Sequence, residues 1–220
     1  MSSDDAVLGV DGCPGGWVGA LVRGQDITWY AGTFADLLAL PAAVVAVDIP
    51  IGLPSGAERR GCDVAARERL GAQRSSVFFA PPREALPART HAEACALSRA
   101  AGGAGLSLQT WHITDKVREV GALATDPRVV EAHPELSFRA LTGAVLPRKK
   151  LVVGRDARLA ALRTWLPSVA LPVPRPGRAA PDDCLDALAC AWTAQRWLRG
   201  EADVLGHGTD PDGRPVRIVV

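Results

Sequence analysis

Two aspartates follow apolar segments that we predict to be neighbouring strands of one sheet. Asp11 comes directly after Ala6–Val10, and Asp48 comes directly after Ala43–Val47. Ligand sites of open α/β sheets form beyond the carboxyl ends of the strands, and neighbouring strands lie about 4.8 Å apart, so both carboxylates are expected on one small surface. Either aspartate alone would also suit an ordinary turn. Their equivalent positions favour a site where a bound cation relieves the repulsion between them.

A second acidic pair begins the last predicted helix, which runs from Asp182 to about Leu198. Asp182 is expected to cap this helix and Asp183 suits its first turn, because negative charge there complements the helix dipole. Asp186 is different, since it shares a helix face with small, mostly apolar residues, where a carboxylate needs a partner. Asp183 and Asp186 are three residues apart and can point to one place. We therefore expect this pair to join the strand-end aspartates.

A third acidic candidate lies at the end of the predicted strand Arg128–Ala132. Glu131 and His133 are two residues apart there, so their side chains are expected on the same side. Glu131 is the candidate for a fifth carboxylate of the site. His133 precedes a proline and is interpreted as a structural residue.

Four basic residues are candidates for contacts with a phosphate group, which guanidinium and ammonium groups bind well. Solvated surface charge explains the same residues equally well, and both interpretations stay open. These residues are Arg67, Arg74, Lys149 and Lys150.

Composition and charge set the class of protein. The chain has 220 residues, of which 48% are hydrophobic and 22% charged, as in ordinary globular proteins. Its formal net charge of +1 neither favours nor excludes a polyanionic partner. The five cysteines include no pair at C-x-x-C spacing, which is typical of reduced thiols in a cytosolic protein. With no signal-peptide pattern and no apolar run of about 20 residues, we expect a cytoplasmic protein without a membrane partner.

The order of the predicted elements indicates the fold. Short turns join the first three strands into an antiparallel meander, and the fourth strand returns after a helix and can lie parallel to the first. This order predicts an α/β fold, an RNase H-like mixed five-stranded sheet flanked by helices. Residues 1–220 then form one domain, with a helical insertion at about 49–127. The predicted strands are Ala6–Val10, Trp17–Val22, Ile27–Tyr30, Ala43–Val47 and Arg128–Ala132, with a terminal strand at Val216–Val220. Other predicted segments are a helix at Arg155–Leu166 and a proline-rich linker at Pro167–Pro181.

Six motifs along nearly the whole chain resemble, in order, the bacterial and archaeal family described as predicted RNase H-like nucleases, formally domain of unknown function 429. The final motif is also similar to the acidic pair in the last helix of the resolvases of the RNase H superfamily. Asp48 stands where those resolvases have a glutamate, so its side chain is one methylene shorter. The motifs are GVDGCPGGWV at 9–18, VDIPIGL at 47–53, RSSVF at 74–78, QTWHI at 109–113, EAHPELSF at 131–138 and DCLDALACA at 183–191.

This resemblance implies a metal-dependent nuclease that hydrolyses phosphodiester bonds of DNA or RNA. Two Mg²⁺ or Mn²⁺ ions about 3.5–4 Å apart are then expected on the carboxylates. Resolvase-like relatives are often dimers, which leaves a homodimer open. The implied metal ligands are Asp11, Asp48, Asp183 and Asp186, with Glu131 as a further catalytic carboxylate. The implied substrate-binding residues are Arg67, Arg74, Gln109, Lys149 and Lys150.

Two other functions remain open from the sequence. The glycine-rich turn Gly12–Gly16 could hold a phosphate through its backbone N–H groups, as in actin-like kinases, although it is not a Walker loop. The chain is short for the two copies of the fold that those kinases contain. A binding protein with the RNase H fold and no turnover is the second alternative, and the nearly neutral charge favours it.

Overall fold

A mixed sheet of five strands forms the centre of the fold. The computed structural model describes residues 5–169 and 175–220. The strand order in this sheet is β3-β2-β1-β4-β5, with β1, β2 and β3 antiparallel and β4 and β5 parallel to β1. The predicted α/β fold and its mixed five-stranded sheet are therefore confirmed. The strands are β1 (Val7–Cys13), β2 (Gly16–Arg23), β3 (Asp26–Gly32), β4 (Val44–Val47) and β5 (Val129–Glu131), followed later by the short β6 (Val204–Leu205) and β7 (Ile218–Val219).

Helices occupy most of the remaining described chain. Short 3-10 turns lie at Gly71–Ser76 and Arg83–Ala85. No helix in the described ranges is long and apolar enough to cross a membrane. The helices are α1 (Phe34–Leu38), α2 (Gly61–Leu70), α3 (His91–Ala100), α4 (Leu108–His112), α5 (Thr114–Leu123), α6 (Pro134–Thr142), α7 (Val152–Trp165) and α8 (Pro181–Arg199).

The chain forms two compact units. The first unit comprises residues 1–48, 126–203 and 219–220, and it contains the five-stranded sheet with α1, α6, α7 and α8. The second unit comprises residues 49–125 and 204–218 and contains α2 to α5. The sequence predicts an insertion at about 49–127, whereas the second unit also includes a segment from near the end of the chain.

Helix α8 packs directly on the central strand β1 because the residues between them are small. A Cβ atom added at Gly9 would overlap the backbone of Ala187 and of Ala191, so only glycine permits this approach. The middle of α8 is buried, from Cys184 to Ala194. This close packing brings the side chains of α8 to the face of β1 that carries Gly9.

Several predicted boundaries differ from the structure. Asp11 lies within β1 rather than after it, because β1 continues to Cys13 in a hairpin with β2. Asp182 is not the cap of α8: the helix begins at Pro181, and the Asp183 carboxylate accepts a hydrogen bond from the N–H of Ala180 (2.8 Å). Pro181 takes the first helical position because proline needs no hydrogen-bond acceptor there.

Two other segments also have bounds that differ from the predicted ones. Helix α7 begins at Val152 instead of Arg155. The terminal strand is reduced to Ile218–Val219, of which Val219 forms a parallel bridge to Ala132. Part of the predicted linker, residues 170–174, lies outside the described residues.

Candidate active site

Strand register places Asp11 and Asp48 side by side. The last parallel pair of β1 and β4 is Val10 with Val47, and both aspartates are the next residues along their strands. The N–H of Asp48 donates to the carbonyl of Val10 (3.0 Å), which continues the ladder by one bond. Equivalent positions on parallel neighbours face the same side of a sheet. The two carboxylates therefore lie together at the carboxyl ends of these strands.

Asp186 of α8 faces the same place. Asp11 is two residues after Gly9 and shares its face of β1, which is the face that α8 covers. Asp186 directly precedes Ala187, one of the residues that Gly9 contacts, and only 2% of its surface is exposed. Asp11 interacts electrostatically with Asp186, Asp48 and Asp183. The structure thus brings together carboxylates from three distant segments of the chain.

A lysine side chain lies among these acids. The ammonium of Lys149 forms an ion pair with Asp186 Oδ2 at 2.5 Å. It also interacts electrostatically with Asp11 and with Asp48. Burial lowers the pKa of Lys149, but the acids around it, Asp186 above all, raise it by more than burial lowers it. The net pKa lies above its ordinary value, so the amine stays protonated. Lys149, which the sequence suggested as a phosphate contact, is the internal counter-ion of the cluster, whereas Lys150 is exposed.

Burial and mutual repulsion make these carboxylates hard to ionise. Burial, followed by the charge of Asp186, raises the pKa of Asp11 well above its ordinary value. Burial also raises the pKa of Asp48, against the lowering effects of His133 and Lys149. The pKa of Asp186 is raised to about 6 by burial, although Lys149 lowers it. The cluster therefore has more negative charge than one ammonium offsets, and added positive charge would favour its ionised form.

One oxygen of Asp186 has no hydrogen-bond partner among residues 5–169 and 175–220. Its Oδ2 pairs with Lys149, but within the described chain no donor reaches the buried Oδ1. A buried, unsatisfied carboxylate oxygen costs about 1–3 kcal/mol, so such atoms usually indicate a ligand, an ion or a water. This atom is the strongest structural sign that the cluster binds something.

The two other predicted carboxylates have different surroundings. Asp183 uses its Oδ2 to accept the N–H of Ala180 at the start of α8, while its charge still acts on Asp11. Glu131 is buried at the end of β5, where it is paired in register with Val47, the residue before Asp48. Residues paired in register face the same side of a sheet, and Asp48 is one residue further along. The Glu131 side chain therefore faces the side of the sheet opposite to that of Asp11 and Asp48.

Three residues near the cluster were not assigned to the site from sequence. Glu135 interacts electrostatically with Asp48 and Asp186. Both of its oxygens accept from Nη2 of the buried Arg158, each at 2.7 Å. His133, interpreted as structural, acts electrostatically on Asp48. Glu135 and His133 both belong to the motif at 131–138, which was a usable signal, whereas no pattern singled out Arg158.

The metal-ligand geometry is incomplete in this arrangement. Across residues 5–169 and 175–220, no three histidine, cysteine, aspartate or glutamate side chains converge closely enough to hold a metal ion. The nearby thiols are also poor ligands, because burial raises the pKa of Cys184 to about 12 and that of Cys190 well above its ordinary value. The cation that the cluster contains is the ammonium of Lys149.

The remaining predicted substrate-binding residues belong to the second compact unit. Arg67 and Gln109 line a cavity of about 550 Å³ in that unit. Arg67 and Arg74 line a second cavity of about 580 Å³. The glycine-rich turn of the first unit, by contrast, closes the hairpin of β1 and β2, with Cys13 paired to Gly16 and Gly15 at a φ of 83°.

Fold and site together define a class: an α/β protein with an RNase H-like sheet and a buried carboxylate cluster at the carboxyl ends of its parallel strands. A family model described as "Protein of unknown function (DUF429)" matches residues 9–210. The chain therefore belongs to this family, as the sequence motifs suggested. No curated protein matches the chain, and no solved structure does.

Proposed function

We propose that this protein is a divalent-metal-dependent nuclease that hydrolyses phosphodiester bonds at the cluster of Asp11, Asp48 and Asp186. The observation that carries this proposal is the buried Oδ1 of Asp186, which has no hydrogen-bond donor among the described residues although only 2% of the residue's surface is exposed to water. A carboxylate retained only for helix capping or solubility would lie at the surface or be fully paired. Here it is held inside a group of like charges from three segments.

The donor chemistry of the cluster suits Mg²⁺ or Mn²⁺. Both are hard cations that prefer carboxylate oxygens, and the neighbouring thiols stay protonated and do not compete. Asp11, Asp48 and Asp186 would hold the ion, with Asp183 next to them. When bound, such an ion lowers the pKa of a water molecule and stabilises the leaving oxygen in phosphodiester hydrolysis.

Lys149 competes with a metal ion for the carboxylates of the cluster. Its ammonium provides the positive charge now, so in this proposal it leaves Asp186 when a divalent ion enters. The exit is physically accessible, because 39% of the Lys149 side chain is exposed although its charge is turned inward. Once released, the same ammonium is available to a substrate phosphate, which is the role that the sequence suggested for it.

A cleavage assay tests this proposal. Purified protein is incubated with single-stranded, duplex, hybrid and branched nucleic acids in Mn²⁺, in Mg²⁺ and in excess chelator. We expect cleavage of at least one substrate with metal and none with chelator. Equal cleavage in chelator would refute the metal requirement, and Asp186→Asn, which cannot supply the carboxylate, separates the protein's own activity from a contaminant.

A binding protein with this fold and no turnover is the second candidate. The Lys149 ion pair and the lack of a three-ligand set in the described part of the chain favour it. In that case Lys149 is a permanent counter-ion. We then expect weak Mn²⁺ binding, no cleavage of any of the four substrates, and no gain in metal affinity when Lys149 is replaced.

A further inference from the structure

A second charged site lies in the other compact unit, around the ring of Phe79. The guanidinium carbon of Arg59 lies 4.1 Å from the centre of that ring. The guanidinium carbon of Arg67 lies 4.8 Å from the same centre. One aromatic ring therefore makes a cation–π contact with each of two guanidinium groups.

The framework of this site is rigid. Arg67 Nη1 donates to the carbonyls of Arg74 (2.9 Å) and Val77 (2.6 Å), which orients its guanidinium. The residue after Phe79 is anchored as well, since the N–H of Ala80 donates to Asp63 Oδ2 at 3.0 Å. Asp63 is itself buried and ion-paired. The guanidinium of Arg67 and the backbone next to the ring are thus held in place before any ligand arrives.

The arginines of this site have no carboxylate partner in the part of the chain that the structure describes. Within the described residues, no acid forms an ion pair with Arg59, Arg67 or Arg74, and all three line the cavity of about 580 Å³. Glu68 is the acidic side chain in the lining of that cavity. Three positive charges against one negative charge leave this cavity electropositive. Other arginines of the same unit do have partners: Arg60 pairs with Asp63, Arg83 with Asp212 and Arg118 with Asp115.

Neutral hydrogen-bonding groups extend the site. The cavity of about 550 Å³ shares Arg59, Arg67 and Phe79 with the electropositive cavity, and its lining adds Ser107 and Gln109 together with one acid, Glu58. A guanidinium group can donate two parallel hydrogen bonds to the oxygens of one phosphate, and amide and hydroxyl groups can donate further hydrogen bonds to it. A tetrahedral phosphate group matches this combination of guanidinium groups and neutral donors.

We propose that Arg59, Arg67 and Arg74 form a phosphate-binding site that works without metal and takes a phosphate group of a nucleic-acid backbone. Phosphate binding follows from the arginine cluster alone. The backbone as the source of that phosphate rests on the proposed nuclease function. A nucleotide or inorganic phosphate has the same binding chemistry, so the test includes it.

The test measures binding of the full chain to a fluorescein-labelled single-stranded oligonucleotide in excess chelator, by anisotropy over a series of salt concentrations. The variant is the double substitution Arg59→Gln and Arg74→Gln. Neither side chain forms a hydrogen bond within the described chain, so the fold is expected to persist, and thermal unfolding checks this. Arg89→Gln is the matched control, an exposed arginine of the same unit that lines neither cavity.

We expect the double variant to bind at least tenfold more weakly than the parent, and Arg89→Gln to bind like the parent. Losing two phosphate contacts should also reduce the slope of log affinity against log salt by roughly 1.4, since each contact with a single strand contributes about 0.7. Unchanged affinity and slope in the double variant would overturn the proposal. Binding of inorganic phosphate by calorimetry, lost in the double variant without any oligonucleotide binding, would support the site and assign it to a small phosphate.

The outcome is independent of catalysis. The binding measurement is made in excess chelator, where the proposed metal-dependent cleavage does not proceed. If cleavage is never found but the double variant loses binding, the nuclease proposal fails and the phosphate site stands. If cleavage is found and the double variant binds normally, the phosphate site alone is contradicted.

Discussion

Charge is organised in opposite ways in the two compact units. In the first unit, acids from distant segments are buried together and an internal lysine offsets part of their charge. In the second, three arginines line one cavity without acidic partners in the described chain. Buried charge must be compensated inside the protein, whereas charge at an open cavity is compensated by solvent and ligands. The first arrangement should therefore control stability and metal binding, and the second should control association with an anion.

The largest effect is expected from the buried acid itself. Asp186→Asn keeps the shape of the side chain but removes the negative charge, so metal-dependent cleavage should fall to the background rate. Fluorescence-based cleavage with Mn²⁺ measures this. Asp182→Asn, on the same helix but without an acidic role in the cluster, is the control and should keep its activity. Equal loss in both variants would mean that helix damage rather than the carboxylate is responsible.

Breaking the ion pair between Glu135 and the buried Arg158 should cost more stability than any other substitution proposed for the first unit. Glu135→Gln leaves the guanidinium of Arg158, which is 1% exposed, without its carboxylate. Loss of one partner of a buried pair typically destabilises a protein by about 3–5 kcal/mol. Urea unfolding followed by circular dichroism measures this. Arg74→Gln in the arginine cluster should change stability by less than about 0.5 kcal/mol. Similar losses of stability in both variants would contradict the proposed difference between the two units.

Replacing the internal lysine should separate stability from metal affinity. Lys149→Met keeps the aliphatic stem but removes the ammonium, which leaves Asp186 without its partner. We expect a loss of about 1–2 kcal/mol without metal, less than for a fully buried pair because the lysine is 39% exposed. Mn²⁺ affinity, measured by calorimetry, should rise roughly tenfold because no ammonium competes. A fall in Mn²⁺ affinity would show that Lys149 supports the metal-bound state instead of competing with it.

The smallest effect is a pH dependence of stability without metal. The pKa of Asp186 is raised to about 6 in the folded chain, above its ordinary value of 3.8, so the folded state binds this proton more tightly than the unfolded state. Stability should therefore increase by about 1 kcal/mol as the pH falls from 7 to 5, through the pKa of the folded state, and should decrease again as the pH rises. Urea titrations between pH 7 and pH 5 measure this gain. In Asp186→Asn the increase in stability between pH 7 and pH 5 should be smaller than in the parent chain. The same increase in both proteins would show that Asp186 is not its source.

Sequence patterns were sufficient for the sheet and for the gathering of the strand-end acids. Apolar runs separated by turns defined the strands, and because parallel strands end at one edge, Asp11 and Asp48 could be expected together. Small residues around Asp186 indicated the close approach of α8 to the sheet, which Gly9 permits.

Long-range polar partners could not be predicted in the same way. Lys149 lies between α6 and α7, where no periodic pattern indicates a direction, and its ion pair with Asp186 spans 37 residues. The pair of Glu135 and Arg158 likewise joins two helices whose relative packing no local signal encodes. The return of residues 204–218 to the second unit depends on tertiary contacts for the same reason.

The most direct test of the acidic site is a calorimetric titration of the metal-free protein with Mn²⁺. We expect saturable Mn²⁺ binding by the parent chain and by Asp182→Asn, and loss of that binding in Asp186→Asn. Equally tight binding by Asp186→Asn, or no binding by the folded parent chain at millimolar Mn²⁺, would contradict the proposed metal site.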